Sequence, residues 1–141
     1  MKKLIFLLLL SIPLLVKAQE NRQYIGVSRG LEIYYLLTNT VRISPETSAN
    51  YIGHCIEAWV EVPNKTYKGK GKIYKNATEL TKYTCDCQTY KIKSQEVVLY
   101  NSEKEVIVTK EASILDEYTS VIPGSIGEGI FNAICEYYNN N

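Results

Sequence analysis

Ile122-Pro-Gly-Ser-Ile-Gly-Glu-Gly-Ile-Phe-Asn-Ala-Ile-Cys135 carries the sharpest local signal in the chain, that of a capped helix delivering a cysteine into a β-rich body. Pro123-Gly124 makes a turn, Ser125 is placed to cap a helix through the amide three residues on, and Glu128 to reach back to the Ser125 amide. Ile126, Ile130, Phe131, Ile134 and Cys135 then recur at helical spacing, so one face of this helix is apolar. Gly127 and Gly129 each cost about 1 kcal/mol relative to Ala. A helix this short cannot recover that from its own propensity, so packing or a covalent tie must supply it, and Cys135 offers the tie. With β-prone runs upstream, the residues alone describe a secreted, disulfide-tied α+β domain.

Working outward, the chain opens on Met1-Lys-Lys-Leu, continues almost wholly apolar from Ile5 to Val16, and reaches Val16-Lys-Ala18, which resembles a cleavage site. Residues 1–18 read as a signal peptide and 19–141 as a single domain of about 123 residues, enough for one core. The apolar run is broken by Pro13 and is too short to span a bilayer comfortably, and no cysteine follows the expected cut to accept a lipid. A soluble product, secreted or periplasmic, is expected, with no membrane span after cleavage. Losing Lys2, Lys3 and Lys17 lowers the 16 basic residues to 13 against 15 acidic ones, a net charge of −2. That argues against nucleic acid as a partner, since such binders depend on concentrated positive charge.

In order along the chain, Tyr24 to Val27 and Leu31 to Leu37 read as a hairpin around Ser28-Arg-Gly30, with Leu31, Ile33, Tyr35 and Leu37 on the half-buried face. Thr40 to Ile43 extends it after a bend, and Ser44 to Asn50 collects turn formers. From Tyr51 to Val62, Ile56, Ala58, Val60 and Val62 alternate with Cys55, Glu57, Trp59 and Glu61, and Pro63-Asn64 is expected to end the strand. Lys65 to Lys75 carries five lysines near two glycines, a solvated loop or hairpin with edge-protecting charge. Lys82 to Lys93 reads as one long strand with a bulge between Cys87 and Tyr90. Val97 to Tyr100 and Val106 to Thr109 form a hairpin across Asn101-Ser-Glu-Lys104, Tyr118 to Ile122 is a last short strand, and Glu136 to Asn141 trails off in polar residues.

The four cysteines, Cys55, Cys85, Cys87 and Cys135, imply two disulfides in an oxidising compartment and leave three pairings open. A bond between Cys85 and Cys87, two residues apart on one strand face, would be strained. Their spacing also lacks that of a zinc knuckle, and His54 is the only histidine, so neither a metal nor another cofactor is expected. His54 next to Cys55 points to the opposite face of a strand, poor geometry for an activated thiolate. Asp86 and Asp116 show no paired-carboxylate pattern, and Gly69 and Gly71 fail the phosphate-loop template, so a catalytic function is not expected. Lys68, Lys70 and Lys72 are the candidate polyanion contacts. Twelve tyrosines offer amphipathic contact area, although alternating Tyr also suits the wet face of a sheet, and Trp59 reads as core or disulfide packing.

Ala58-Trp-Val60, Asp86-Cys87 followed by Tyr90-Lys-Ile92, Val98-Leu-Tyr100, Val106-Ile-Val108, and Ile122-Pro-Gly-Ser125 with Cys135 ten residues beyond form an ordered set. That set resembles the surface-adhesin protein E family of small exported bacterial proteins. The resemblance implies an antiparallel β-sheet with a C-terminal α-helix packed on it, tied by a disulfide between Cys87 and Cys135. With those two joined, Cys55 and Cys85 are left as the second pair. The resemblance further implies a binding or adhesion module for extracellular, host or cell-envelope proteins, able to form a homodimer. Tyr118 stands where the family often has Trp, and no family ligand-binding segment matches residue by residue. A periplasmic or secreted inhibitor or accessory protein is the alternative, and an uncharacterised hydrolase centred on His54 the third reading.

Overall fold

The computed structural model describes residues 21–45, 55–69, 71–111 and 117–141. The expected signal peptide, His54, Lys70 and Asp116 lie outside the described residues. Among the described residues eight strands form one antiparallel sheet: β1 (Arg22–Val27), β2 (Ile33–Leu37), β3 (Arg42–Ile43), β4 (Cys55–Gly69), β5 (Lys72–Asp86), β6 (Lys91–Tyr100), β7 (Val106–Glu111) and β8 (Thr119–Ser120). The order is β1-β2-β4-β5-β6-β7, with β3 beside β4 and β8 beside β6. Among the described residues one α-helix, α1 (Ile126–Asn140), packs across one face.

The alternation in β4 is what makes this face apolar. Ile56, Ala58, Val60 and Val62 are each no more than 2% exposed, and the first three meet Ile130, Phe131, Ile134 and Cys135 of α1 in one core with Leu36 and Cys85. Burying Ile130, Phe131 and Ile134 contributes about 2 kcal/mol each, which outweighs the cost of the two helical glycines. Gly129 also has a positive reason to lack a side chain: a Cβ there would stand 3.2 Å from Ile25 Cγ2 of β1. The N-terminus is capped as the sequence indicates, with Ser125 Oγ accepting from the Glu128 amide at 3.2 Å. The return arm lands one residue earlier than expected, because Glu128 accepts from the Gly124 amide at 2.8 Å rather than from Ser125. The helix also continues through Asn140 instead of ending in the polar tail, since Tyr137 extends its packed face.

Cys87 and Cys135 are joined, with Cα atoms 5.9 Å apart and a sequence separation of 48. The expected partner bond between Cys55 and Cys85 is corrected by the register. In the β4–β5 ladder Cys55 faces Asp86 and Cys85 faces Ile56, and directly facing residues of an antiparallel pair share a sheet face. The two thiols therefore leave from opposite faces and stay free and buried: Cys85 enters the core under α1, while Cys55 accepts a hydrogen bond from the Tyr118 hydroxyl at 3.4 Å.

Other boundaries moved for local reasons. Pro63-Asn64 does not end β4; it sits at a register shift, with Asn64 at φ 59°, where a proline costs no ladder bond. The expected long strand through Cys87 is two strands joined by a tight turn. Asp86 builds that turn by accepting from the amides of Gln88 and Thr89, both at 3.1 Å, and from the Thr89 hydroxyl at 2.6 Å, and Tyr90 leaves it at φ 57°. In β2 the inward residues are Tyr34 and Leu36 rather than Leu31, Ile33, Tyr35 and Leu37, because both faces of that run are apolar and period two does not say which one turns inward.

Candidate interaction surface

β4 and β5 are 15 residues each, longer than their neighbours. β2 pairs with β4 at Tyr35–Glu61 and Leu36–Val60, and β6 reaches β5 up to Thr78. Residues 63–69 and 72–77 thus run on beyond the flanking strands as a two-stranded ribbon. Such a ribbon is marginal by itself and needs cross-strand support. Lys65 provides it at the root, bonded to Glu79 at 2.8 Å and lying 3.3 Å from Glu32. Burial alone would lower the Lys65 pKa, but the carboxylates of Glu79 and Glu32 raise it overall.

Further out, Tyr67 faces Tyr74 with ring centroids 6.2 Å apart. The Tyr67 ring lies over Gly69, where a Cβ would come within 2.4 Å of the ring. Gly69 is therefore required by the aromatic pair. Tyr67, Tyr74 and Lys72 occupy one face of the ribbon, and Lys68 and the 61% exposed Ile73 the other. Lys68 and Lys72, which the sequence groups as one polyanion contact, are separated by strand alternation.

Beside the root, Arg22 of β1 bonds Glu61 at 2.9 Å and lies 4.5 Å from the Tyr35 ring centroid, and Tyr24 meets that ring edge-on. A cleft of about 370 Å³ opens between the root and the β6–β7 turn, with Leu37, Leu80 and Tyr100 among its apolar residues and Glu61, Asn76 and Lys104 among its polar ones. Asn101 holds that turn, its side-chain oxygen accepting from the amides of Glu103 and Glu105, both at 2.9 Å.

Among the described residues the tyrosines do not form one binding face. Tyr34, Tyr83 and Tyr137 pack against the core, Tyr90 donates to Glu128 at 3.0 Å beside Phe131, and Tyr24 is exposed on the face away from α1. Burial, with Glu32 adding to it, pushes the Tyr34 hydroxyl up to about 12; burial likewise pushes Tyr83 up to about 12. Burial drives the Cys85 thiol upward, with nearby Cys55 adding to it, so Cys85 is not poised as a nucleophile. Trp59, expected in the core, is half-buried on the outer face, paired with Lys82. No group of three or more metal-ligating side chains occurs among the described residues. No helix among them is long and apolar enough to cross a membrane.

The family model described as surface-adhesin protein E matches residues 23–136. The crystal structure of Haemophilus influenzae protein E superposes with a TM-score of 0.52 at 12% identity, covering 82% of this chain and 89% of that one. At that identity the likeness is one of fold. No curated protein matches the chain.

Proposed function

The chain belongs to the surface-adhesin protein E family, and from that premise we propose that it is an exported, non-enzymatic binding module that grips an extracellular or cell-envelope protein with its β4–β5 ribbon. The observation that carries the proposal is the ribbon itself. It extends past both neighbouring strands, is stiffened by a tyrosine pair and a root salt bridge, and presents Ile73 to solvent between lysines. Aromatic side chains on a stiff element provide contact area at low entropic cost, and the cleft at the root offers a place for a partner's apolar side chain.

The test is capture from matrix, plasma and cell-envelope protein pools by wild type and by Ile73→Asp/Tyr74→Ser, with circular dichroism as the fold control. Loss of capture in the folded variant supports the ribbon. Capture that survives the substitutions, or none by wild type, opposes it. The same protrusion favours a second reading, an inhibitor that inserts its hairpin into another protein. A captured enzyme that loses activity in a stoichiometric complex would select that reading. Export is checked by intact mass: the secreted or periplasmic product should begin near Gln19, and retention of Lys2 and Lys3 would defeat it.

A further inference from the structure

β2 covers β4 at Val60–Glu61 and β3 covers it at Ile56–Glu57, so Ala58 and Trp59 have no strand partner on that side. A 3-10 turn, Thr38–Thr40, fills part of the gap: Thr40 Oγ1 accepts from the Trp59 amide at 2.9 Å and donates to the Leu37 carbonyl at 2.6 Å. The rest of the gap is a recess of about 210 Å³ walled by Asn39, Thr40, Arg42, Glu57, Trp59 and Lys82.

Its electrostatics are unusual for a structural ion pair. Glu57 is 2% exposed and meets two cations, Arg42 through Nε at 2.6 Å and Lys82 at 3.6 Å, with Ser44 Oγ at 3.4 Å. The walls thus carry one acid and two bases, a net charge of one positive, with Glu96 standing cross-strand from Lys82 just outside them. Glu57 engages only the Nε edge of Arg42, so the terminal N–H groups of that guanidinium carry no bond among the described residues, and its side chain is 67% exposed. A guanidinium held from behind by a buried acid, its fork unbonded among the described residues, is preorganised for a planar anion such as a carboxylate. Trp59 adds an aromatic wall and Asn39 a side-chain amide. At about 210 Å³ the recess is larger than the ~150 Å³ cavity that admits a benzene ring, so one six-membered sugar ring has room in it.

We propose that this recess binds a carboxylated pyranose: its carboxylate on the terminal N–H groups of Arg42, its C–H face on Trp59 and a hydroxyl on Asn39. The site is separate from the ribbon and does not depend on the adhesion reading. The chemistry is the same whether the ring is free or ends a glycan chain, so the test carries both sources.

Trp59 is the only tryptophan in the chain, so its fluorescence reports occupancy directly. Purified protein is titrated at constant ionic strength with sodium glucuronate and with 3′-sialyllactose, against glucose, lactose and sodium acetate. A saturable change with either acidic sugar, about tenfold or more weaker for its neutral counterpart and for acetate, is expected from a charge-assisted bidentate contact. The responding probe then identifies the source. Arg42→Lys keeps a cation on Glu57 but removes the fork, and Asn39→Ala lies outside the Glu57 ion pairs; each should weaken the acidic sugar several-fold while circular dichroism stays unchanged. Wild-type selectivity tests the proposal even if Arg42→Lys fails to fold. No saturable change, an equal response to neutral and acidic sugars, or unaltered affinity in both variants overturns it.

Discussion

The two ends of the β4–β5 hairpin are built from the same strands and held by opposite means. Near Cys55 and Asp86 the hairpin lies under α1, its inner side chains are buried, and a disulfide from the turn after Asp86 locks the helix down. Near Gly69 and Lys72 it stands clear of its neighbours, held by one aromatic pair and the ion pairs at Lys65. The difference is one of density: the inner end has apolar surface from a second layer to bury, whereas the outer end has only its own two strands. Substitutions at the inner end should therefore move stability, and those at the outer end should move binding alone.

The sharpest way to break that contrast is to remove the tie. Cys87→Ala/Cys135→Ala opens a loop spanning 48 positions, an expected loss of about 4 kcal/mol in the chain-entropy model. Thermal melts should show it, with the helical signal lost first. Cys55→Ala/Cys85→Ala removes no crosslink and should cost about 1–2 kcal/mol through lost packing. Thiol titration in denaturant should find two free thiols per chain; finding none, or equal losses in the two double variants, would contradict the register argument.

Next in size is the contact beneath α1. Gly129→Leu forces a side chain toward Ile25 and should cost about 1–3 kcal/mol, read as a lower urea midpoint. An unchanged midpoint would show that the helix does not lie as close to β1 as described.

Asp86 gives a pH-dependent handle on the same end. Burial by itself would raise its pKa, but the bonds from the Thr89 side chain and from the Thr89 and Gln88 amides, with the charge of Lys91, bring it below the ordinary carboxylate value. A depressed folded-state pKa means that the stabilisation is complete above the unfolded carboxylate pKa and is lost as pH falls through the folded one. Asp86→Ala should cost about 1–3 kcal/mol at neutral pH, and its deficit against wild type should shrink as pH falls below about 4. A deficit that is constant with pH would remove the carboxylate from the turn.

At the outer end the smallest effect is expected. Lys68→Gln/Lys70→Gln/Lys72→Gln should shift stability by less than about 0.5 kcal/mol, as for solvated side chains. Weakened binding to heparin without unfolding would support a polyanion contact despite the opposite-face placement of Lys68 and Lys72, and salt-independent unfolding would make these lysines structural.

The capped helix, the alternation of β4 and the turn around Asn101 were legible in the residues because each depends on neighbours within a few positions. The β4–β5 hairpin was legible only as a loop or hairpin at the lysine-rich stretch, and its length was not: Pro63 argues for a stop unless a register shift absorbs it. The family resemblance, not spacing, singled out the bond between Cys87 and Cys135. The free state of Cys55 and Cys85 depends on which residue of β5 faces which of β4, and one step of register turns a bonded pair into two thiols on opposite faces. The recess was illegible for the same reason. Glu57 reads as an outward acid of an alternating strand, and only the arrival of β3 and the 3-10 turn buries it between Arg42 and Lys82. Local chemistry determined which segments became helix, strand and turn; long-range register decided which side chains met, because sequence period assigns a residue to a face but does not say what covers that face.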